Sequence, residues 1–277
     1  MMLKHLILWS LAAIALLAVP LEISARNPGF GPAPAVKCAN CGKEKPSAGK
    51  AETGAGKTVD LCFDCWQLPR CAYCQMPSSV ETEGGDKLCR DCAKDTIRTK
   101  DTIRTKAEAE KVMKDVRQVL STKFKMTSKH KIDYELGTRK DLNLEADGNH
   151  LELGWFDPKT VKGKQHYTIR ILTGLPRGVF RPVVAHELAH DWMDENLPHL
   201  SDKDEIREGF AEFVAWSFSR EEGNKRMMKY TENRTDDVYG GGFRKVREMM
   251  GSAKTASEWK TVLLKEFPLK QTKKNGK

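Results

Sequence analysis

Cysteine is absent from the chain after Cys92, and no apolar run beyond residue 25 is long enough to cross a membrane. The second absence excludes a membrane-spanning helix from that part of the chain, because a bilayer requires about 20 consecutive apolar residues. Aromatic residues are missing between Lys94 and Lys123, where the chain is strongly basic. This basic stretch therefore has no side chain that could stack on nucleic-acid bases.

Positive charge is concentrated in two places, although the net charge of the whole chain is only +9. Residues 94–131 contain twelve Lys or Arg against five Asp or Glu, and the last eight residues contain four lysines. Such stretches can bind nucleic acid or an acidic surface. We interpret them instead as a solvated helix face, in a basic helical linker over 94–125, and a basic tail over 271–277. Nucleic acid is therefore not an expected partner.

Residues 1–25 have the three parts of a secretory signal peptide. Lys4 lies in a short basic start, residues 6–19 are almost entirely apolar, and Ser24 and Ala25 form a small-residue exit. Because this apolar run is shorter than about 20 residues, we expect cleavage after Ala25, export to the periplasm or the exterior, and no stable membrane span afterwards. The alternative is an N-terminal membrane anchor.

The eight cysteines all occur as C-x-x-C pairs in one block, predicted as a domain over 37–93 that follows a Pro- and Gly-rich linker over 26–36. A C-x-x-C turn places two thiolates beside one metal ion, and a second pair completes a tetrahedral shell. The order of the pairs predicts one structural zinc on the first four cysteines and another on the last four. Disulfides, which exported proteins normally form, are the alternative. The cysteines are Cys38, Cys41, Cys62, Cys65, Cys71, Cys74, Cys89 and Cys92.

This sequential pairing resembles a LIM domain, a double zinc finger that binds other proteins. The block departs from the usual LIM pattern, because five residues separate its two halves and no histidine is among its ligands. The resemblance implies a protein partner for this LIM-like domain. Closed four-cysteine sites leave no coordination position open to a substrate, so we expect no catalysis there.

The segment VVAHELAHDW (183–192) carries a catalytic motif. His186 and His190 are four residues apart, so on a helix both imidazoles face the same side and can bind one zinc ion. Glu187 lies beside them and can take a proton from a water that the metal activates. The alternative is a surface helix with two solvated histidines.

Local patterns predict the elements around this motif. QHYTIRILT (165–173) alternates as a strand, and we expect it to form the edge of a sheet that walls the substrate cleft. One helix is predicted over 180–195, beginning near Pro182. A second is predicted over 202–222, with Ser201 as its N-cap.

Glu208 and Glu212 lie one turn apart on the second predicted helix, in the run IREGFAEFVAW. Their spacing from His190 and the E-G-F-A run resemble the gluzincin peptidases, in which a glutamate of the second helix completes the zinc site. By that resemblance Glu208 is the third ligand. Glu212 can then accept a hydrogen bond from a ligand histidine. The alternative for Glu212 is a solvated helix carboxylate.

Three segments, ILTGLPRGVFRPVVAHELAHDW, EGFAEFVA and VYGGGFR, resemble in order and spacing the peptidase domain of the plant "DA-one" family, which also places a LIM domain before an H-E-x-x-H peptidase. The resemblance covers about residues 37–250 and implies a gluzincin-type α+β metallopeptidase domain over 126–270. It implies that Tyr239 lies in the active-site domain, either as an oxyanion donor or as an ordinary buried tyrosine. It also implies that Gly240, Gly242, Phe243 and Arg244 belong to the active-site domain. The chain departs from the family in lacking a ubiquitin-interacting segment and in carrying a signal peptide, so ubiquitin-linked regulation is not carried over.

Together these features predict an exported zinc endopeptidase with one catalytic and two structural Zn²⁺ ions, acting on protein or peptide substrates. One alternative is a zinc-finger adaptor whose peptidase-like domain is inactive. Another, a basic nucleic-acid-binding protein, is opposed by the signal peptide and the intact motif. The remaining histidines of the mature chain are isolated, and we expect structural or solvated roles for them. They are His130, His150, His166 and His199.

Overall fold

The computed structural model describes residues 35–52, 58–71, 76–81, 87–90, 92–93, 102–144, 146–147 and 150–269. The predicted signal peptide, most of the linker over 26–36 and the basic tail lie outside these residues. Helices and strands both build the described part, which confirms the α+β prediction. Within it, we find no helix that is long and apolar enough to cross a membrane.

The cysteine-rich part consists of short strands and one helical turn. Its few buried aliphatic side chains include Leu61 and Leu88, and most of its other buried residues are cysteines. So small an apolar core cannot stabilise a domain by itself, and domains of this kind depend on bound metal or disulfides. The elements are β1 (Ala35–Lys37), β2 (Glu44–Glu52) and β3 (Thr58–Cys62) in one antiparallel sheet, α1 (Phe63–Trp66), and the pair β4 (Val80–Glu81) and β5 (Lys87–Leu88).

The part of the chain that follows the cysteine-rich part contains a three-stranded sheet in the order β10-β11-β7. β11 is antiparallel to β10 and parallel to β7. The tight turn between β10 and β11 contains Lys162 and Gly163, both with positive φ, which matches the twist of a two-residue hairpin. The strands are β7 (Ile132–Gly137), β10 (Gly154–Val161) and β11 (Lys164–Leu172), beside the short pairs β6 (Thr102–Ile103) with β12 (Leu175–Pro176) and β8 (Ala146–Asp147) with β9 (His150–Leu151).

The strand predicted over 165–173 is β11, and the expectation that it forms the edge of the sheet is wrong. β11 is the middle strand, and the two outer strands are β7 and β10. Alternation along a segment identifies a strand, but it does not report which strands pair with it. The parallel partner, β7, precedes β11 by a long stretch of chain, and local patterns could not reveal that pairing.

The helix predicted at the end of the basic linker is confirmed as α2 (Lys106–Phe124). Thr105 and Glu108 form a capping box at its start. Its apolar face packs against α4, so this helix belongs to the core of the second part. The buried residues of that face are Ala109, Val112, Met113, Val116, Leu120 and Phe124. The other helices are α3 (Arg139–Leu142), α4 (Arg177–Asn196), α5 (Asp204–Glu221), α6 (Lys225–Glu232), α7 (Gly242–Met250) and α8 (Ala256–Glu266).

The two predicted helices around the motif are α4 and α5, and both start at residues other than those predicted. Pro182 lies inside α4 and cannot donate to the carbonyl of Gly178. The side-chain amide of Asn224 donates to that oxygen instead, at 2.6 Å, so the helix can begin before the proline. Ser201 is not the N-cap of α5. It follows a 3₁₀ turn at Pro198–Leu200, and Lys203 holds the N-cap position without a side-chain cap.

α5 and α7 cross at a contact between two glycines. A Cβ on Gly209 would be 2.3 Å from the carbonyl carbon of Gly242, and a Cβ on Gly242 would be 2.3 Å from the backbone oxygen of Glu205. The backbones of the two helices therefore touch, directly beside Glu208. No side chain fits between them.

Replacing Gly209 by Ala should push the two helices apart and destabilise the protein by about 3 kcal/mol, since the clash is with backbone atoms. Chemical denaturation of the two proteins would measure this. Gly178→Ala is the matched control, because its Cβ would meet its nearest heavy atom at 3.8 Å. That change should leave stability within about 1 kcal/mol. Equal stability of Gly209→Ala and the parent would show that the glycine contact is not close.

Candidate metal centre

Helices α4 and α5 pack together and bring three metal-ligand side chains to one place. His186 and His190 lie one turn apart on α4, and Glu208 lies opposite them on α5. Nε2 of His186 is 3.1 Å from Nε2 of His190. Each of these nitrogens is 3.3 Å from Oε2 of Glu208. The structure therefore brings together the three residues predicted as catalytic metal ligands.

This triangle of donor atoms has the size of one face of a zinc tetrahedron. With bonds of about 2.0–2.1 Å, two ligands of a tetrahedral zinc are about 3.3–3.4 Å apart. Two imidazoles and one carboxylate are also a donor set that catalytic zinc sites use. The three residues fit a metal ion, and they line a cleft of about 550 Å³ from which a fourth ligand can reach it.

The side chains of this centre shift each other's proton affinities. Burial disfavours charge on Glu208, but the charge of His190 and hydrogen bonds from both histidines hold the pKa of this carboxyl far below its usual range. Burial also disfavours protonated His186, but the hydrogen bond to Glu208 and the charges of Glu187 and Glu212 raise its pKa to about 9. A cluster that attracts a proton this strongly also attracts a divalent cation, which displaces the proton when it binds.

Glu187 lies beside the triangle, buried in the wall of the cleft. Burial raises the pKa of its carboxyl, although the charges of His186 and His190 lower it. The outer strand β10 passes over this carboxylate at Gly154, where a Cβ would be 2.8 Å from Oε1 of Glu187 and 2.8 Å from Cγ1 of Val183. Gly154 is not among the site residues predicted from the sequence. The available signal was a glycine at the start of a strand, which often marks a close approach.

Glu212 lies one turn after Glu208 on α5 and close to the ring of His186, but it does not make the hydrogen bond to this histidine that the sequence led us to expect. Its Oε1 is 3.8 Å from Nδ1 of His186, which is too far for a hydrogen bond but close enough for electrostatic attraction. Two hydrogen bonds orient this carboxylate, from Nη1 of Arg234 to Oε1 and from Oγ1 of Thr231 to Oε2, each 3.1 Å long. Neither donor is predicted from the sequence, because no local pattern connects Thr231 or Arg234 with the motif helices.

Tyr239 lies at the rim of the same cleft, in a π-helical turn over Asp237–Gly241. The ring centroid of Tyr239 is 6.4 Å from that of His186. The guanidinium of Arg234 lies 4.2 Å from the centroid of the Tyr239 ring. Burial and the charge of Glu208 raise the pKa of its phenol, which therefore stays protonated and able to donate. Gly242, Phe243 and Arg244 follow it at the start of α7.

The turn that carries Tyr239 is shaped by its neighbours. Oδ1 of Asp236 accepts hydrogen bonds from the backbone N–H groups of Tyr239, at 2.7 Å, and Gly240, at 3.3 Å. A Cβ on Gly240 would be 2.3 Å from the backbone oxygen of Arg234. The glycine predicted to belong to the active-site domain is therefore needed where the turn folds back on Arg234.

The first four cysteines gather as their order predicts. Sγ of Cys41 is 3.8 Å from Sγ of Cys62, and two thiolates on a tetrahedral zinc are also about 3.8 Å apart. Burial opposes ionisation of Cys38, but backbone hydrogen bonds outweigh it and lower the pKa of this thiol to about 6. The side-chain amide of Asn40 donates to Sγ of Cys65 at 3.3 Å. This group is able to hold a metal ion.

Cys71, Cys89 and Cys92 form a second buried group whose donor atoms also suit one metal ion. Their predicted fourth partner, Cys74, lies outside the described residues. The cysteines that the structure describes are all free, so the disulfide alternative finds no support among them. The described residues thus contain three groups able to hold a metal ion, two of cysteines and one of histidines with a glutamate.

Two of the isolated histidines have partners away from the cleft. Nδ1 of His130 is 2.8 Å from Oδ1 of the fully buried Asp191, and the ring stacks on Tyr167 at 3.8 Å. Nε2 of His199 donates to the backbone oxygen of Phe267 at 2.9 Å. His166 lies on β11 and is exposed. The side chain of His150 lies outside the described residues.

Comparisons with protein-family models, curated proteins and solved structures found no match to this chain.

Glu208→Ala should remove a direct bond to the metal, so the centre should be empty at ordinary zinc concentrations. Glu212→Ala should keep the metal at saturating zinc but bind it about 10–100-fold more weakly, because this residue only supports a ligand. Zinc content per chain, measured by mass spectrometry of metals after dialysis, distinguishes the two. We expect three ions in the parent and two in Glu208→Ala, with the cysteine-bound ions as internal controls. The reverse order of effects would assign the third ligand to Glu212.

Proposed function

We propose that this chain is a zinc-dependent endopeptidase, with Zn²⁺ held by His186, His190 and Glu208 and with Glu187 as the general base. The observation that supports this most directly is the triangle of three donor atoms, 3.1 to 3.3 Å on a side, beside a buried carboxylate in an open cleft. A centre built only for stability would have four protein ligands and no cleft. This arrangement suits a metal that must also meet a substrate.

Zinc is the metal that this donor set fits best. Two imidazole nitrogens and a carboxylate, in a near-tetrahedral arrangement with one open position, are typical of hydrolytic zinc sites. When bound, zinc would polarise a peptide carbonyl and lower the pKa of a neighbouring water.

The protein groups around the centre have complementary roles. Glu187 is placed to take a proton from the attacking water and to deliver it to the leaving amine, and its raised pKa favours this second step. Tyr239 keeps its phenolic proton and can donate a hydrogen bond to the oxygen that becomes negative. Thr231 and Arg234 hold Glu212 near His186, where its negative charge attracts the imidazole ring without a direct hydrogen bond.

An extended peptide is the substrate that suits this cleft. β10 is the outer strand of its sheet and lines the cleft from Gly154 to Pro158. The backbone of an outer strand can pair with an extended peptide chain. Such pairing would lay the peptide bond along the strand and above Glu187, because Gly154 passes directly over that carboxylate.

The cysteine groups are proposed as two structural zinc sites of a LIM-like domain. We also propose that the chain is a relative of the "DA-one" peptidases and that it is exported after cleavage of its signal peptide. Both rest on the sequence segments described above.

A protein-binding adaptor remains the second candidate function, and one observation favours it. Phe63 and Trp66 of the helix α1 are 62% and 37% exposed, which is unusual for large apolar side chains. They lie beside the first cysteine group and could contact a partner protein. This role is compatible with hydrolysis at the other centre.

Glu187→Gln tests catalysis directly. Loss of a general base typically slows a reaction by about 10²–10⁴-fold, so hydrolysis of a fluorogenic peptide library should fall by that amount. The zinc content should stay at the parent value, because Glu187 is not a ligand. Glu221→Gln is the matched control, since this glutamate lies at the end of α5 and pairs with Lys123. Parent protein that cleaves no peptide with all its zinc bound would favour the inactive adaptor.

A further inference from the structure

Helix α6 lies between the second cysteine group and the cleft, and it contacts both. Near its start, Nη2 of Arg226 donates to Sγ of Cys92. Its next residues, Met227, Tyr230 and Thr231, line the cleft of the metal centre. Eight residues of helix span about 12 Å, so this element is a short, direct connection between the two sites.

The contact between Arg226 and Cys92 is electrostatically favourable when the cysteine is a thiolate. The three described thiolates around a divalent metal would already leave a net charge of about −1 on the site. Cys92 is buried, so water does not compensate that charge well. A guanidinium donating to the sulfur stabilises the thiolate and lowers its reactivity toward electrophiles. Metal binding at the cysteines therefore strengthens the contact that holds the start of α6.

Other contacts of α6 lead to the metal centre. Oγ1 of Thr231 donates to Oε2 of Glu212 at 3.1 Å, and Oε1 of that carboxylate lies 3.8 Å from Nδ1 of His186. Nε1 of Trp216 donates to Oε1 of Glu232 at 3.1 Å, which fixes the end of α6 on α5. A shift of α6 would therefore move the carboxylate that supports a metal ligand.

The start of α6 is also joined to the helix that carries the two histidines. Asn224 caps α6 by accepting from the backbone N–H of Met227 at 3.2 Å. The same side chain donates to the backbone oxygen of Gly178, at 2.6 Å, beside the proline of α4. One end of this short helix thus contacts the cysteine group and α4 together.

We propose that the second cysteine site and the histidine–glutamate site are energetically coupled through α6, with Arg226 as the positioning residue that joins them. Metal bound at the cysteine site fixes Cys92, and the contact of Arg226 with Cys92 fixes the start of α6. The hydrogen bond from Thr231 of α6 then keeps Glu212 near His186. The cysteine site then supports the affinity of the other centre as well as its own fold. This inference rests on the metal sites of the proposed function but not on peptide hydrolysis.

Arg226→Met, which removes the charge and keeps an apolar stem, tests the coupling. Two quantities are measured on the full chain loaded with zinc. The first is the alkylation rate of each cysteine by iodoacetamide, resolved by peptide mass spectrometry. The second is the zinc affinity of the histidine–glutamate site, titrated against a competing chelator. We expect the second cysteine group to react about tenfold faster and the other centre to bind zinc about tenfold more weakly.

Two variants and the first cysteine group serve as controls. Lys225→Met removes a neighbouring exposed charge from the same helix and should change neither quantity. Arg226→Lys should give an alkylation rate and a zinc affinity between those of the parent and those of Arg226→Met, because an ammonium can still donate to the sulfur. The first cysteine group should react at the parent rate in every variant, and circular dichroism should show equal helix content.

Coupling between binding free energies is reciprocal, so zinc bound at the histidine–glutamate site should also raise the zinc affinity of the second cysteine group and slow its alkylation. Faster alkylation with unchanged zinc affinity would show that Arg226 serves the cysteine site alone, and the proposal would be wrong. Weaker zinc affinity with unchanged alkylation would also overturn it, since α6 would then act without the cysteine site. No change in either quantity would show that the contact has no energetic role. None of these results depends on whether the chain hydrolyses peptides.

Discussion

The packing of α4 against α5 is the constraint on which the metal centre depends. It places two imidazoles and a carboxylate within 3.3 Å of one another, in a largely buried position. Such crowding of donors is unfavourable unless a cation lies among them. The surrounding groups make this arrangement possible, with glycine contacts that let helices approach and hydrogen bonds that orient Glu212. The cleft, the outer strand and the proposed chemistry all follow from this pair of helices.

The two parts of the chain position their candidate metal ligands differently. In the cysteine-rich part the candidate ligands themselves form most of the buried core, so metal binding there would be coupled to folding. In the second part a large apolar core, with Phe180, Phe210 and Phe218 fully buried, already holds the helices in place. The metal centre there is positioned by packing before any ion binds. An ion in that centre is thus free to serve chemistry rather than stability.

The sequence predicted the residues of the centre better than its surroundings. His186, Glu187 and His190 follow from spacing on one helix, and Glu208 follows from resemblance and from spacing on the next. Four features escaped: the order of the strands, the donors Arg234 and Thr231, the glycine over Glu187 and the proline inside α4. Each depends on a partner far away along the chain, where no local period exists. The N-cap at Ser201 was wrong because a 3₁₀ turn intervenes, and turn geometry is weakly encoded locally.

Gly154 shows how unevenly the walls of the cleft can change during evolution. Along β10 the side chains alternate, so that Gly154 faces the helix while Trp155, 47% exposed, faces away. Any side chain larger than hydrogen at residue 154 would displace Glu187 or Val183. Trp155 meets no such limit and also lines the cleft. Residue 155 can therefore vary in size and chemistry while residue 154 is confined to glycine, so one wall of the cleft can change without disturbing Glu187.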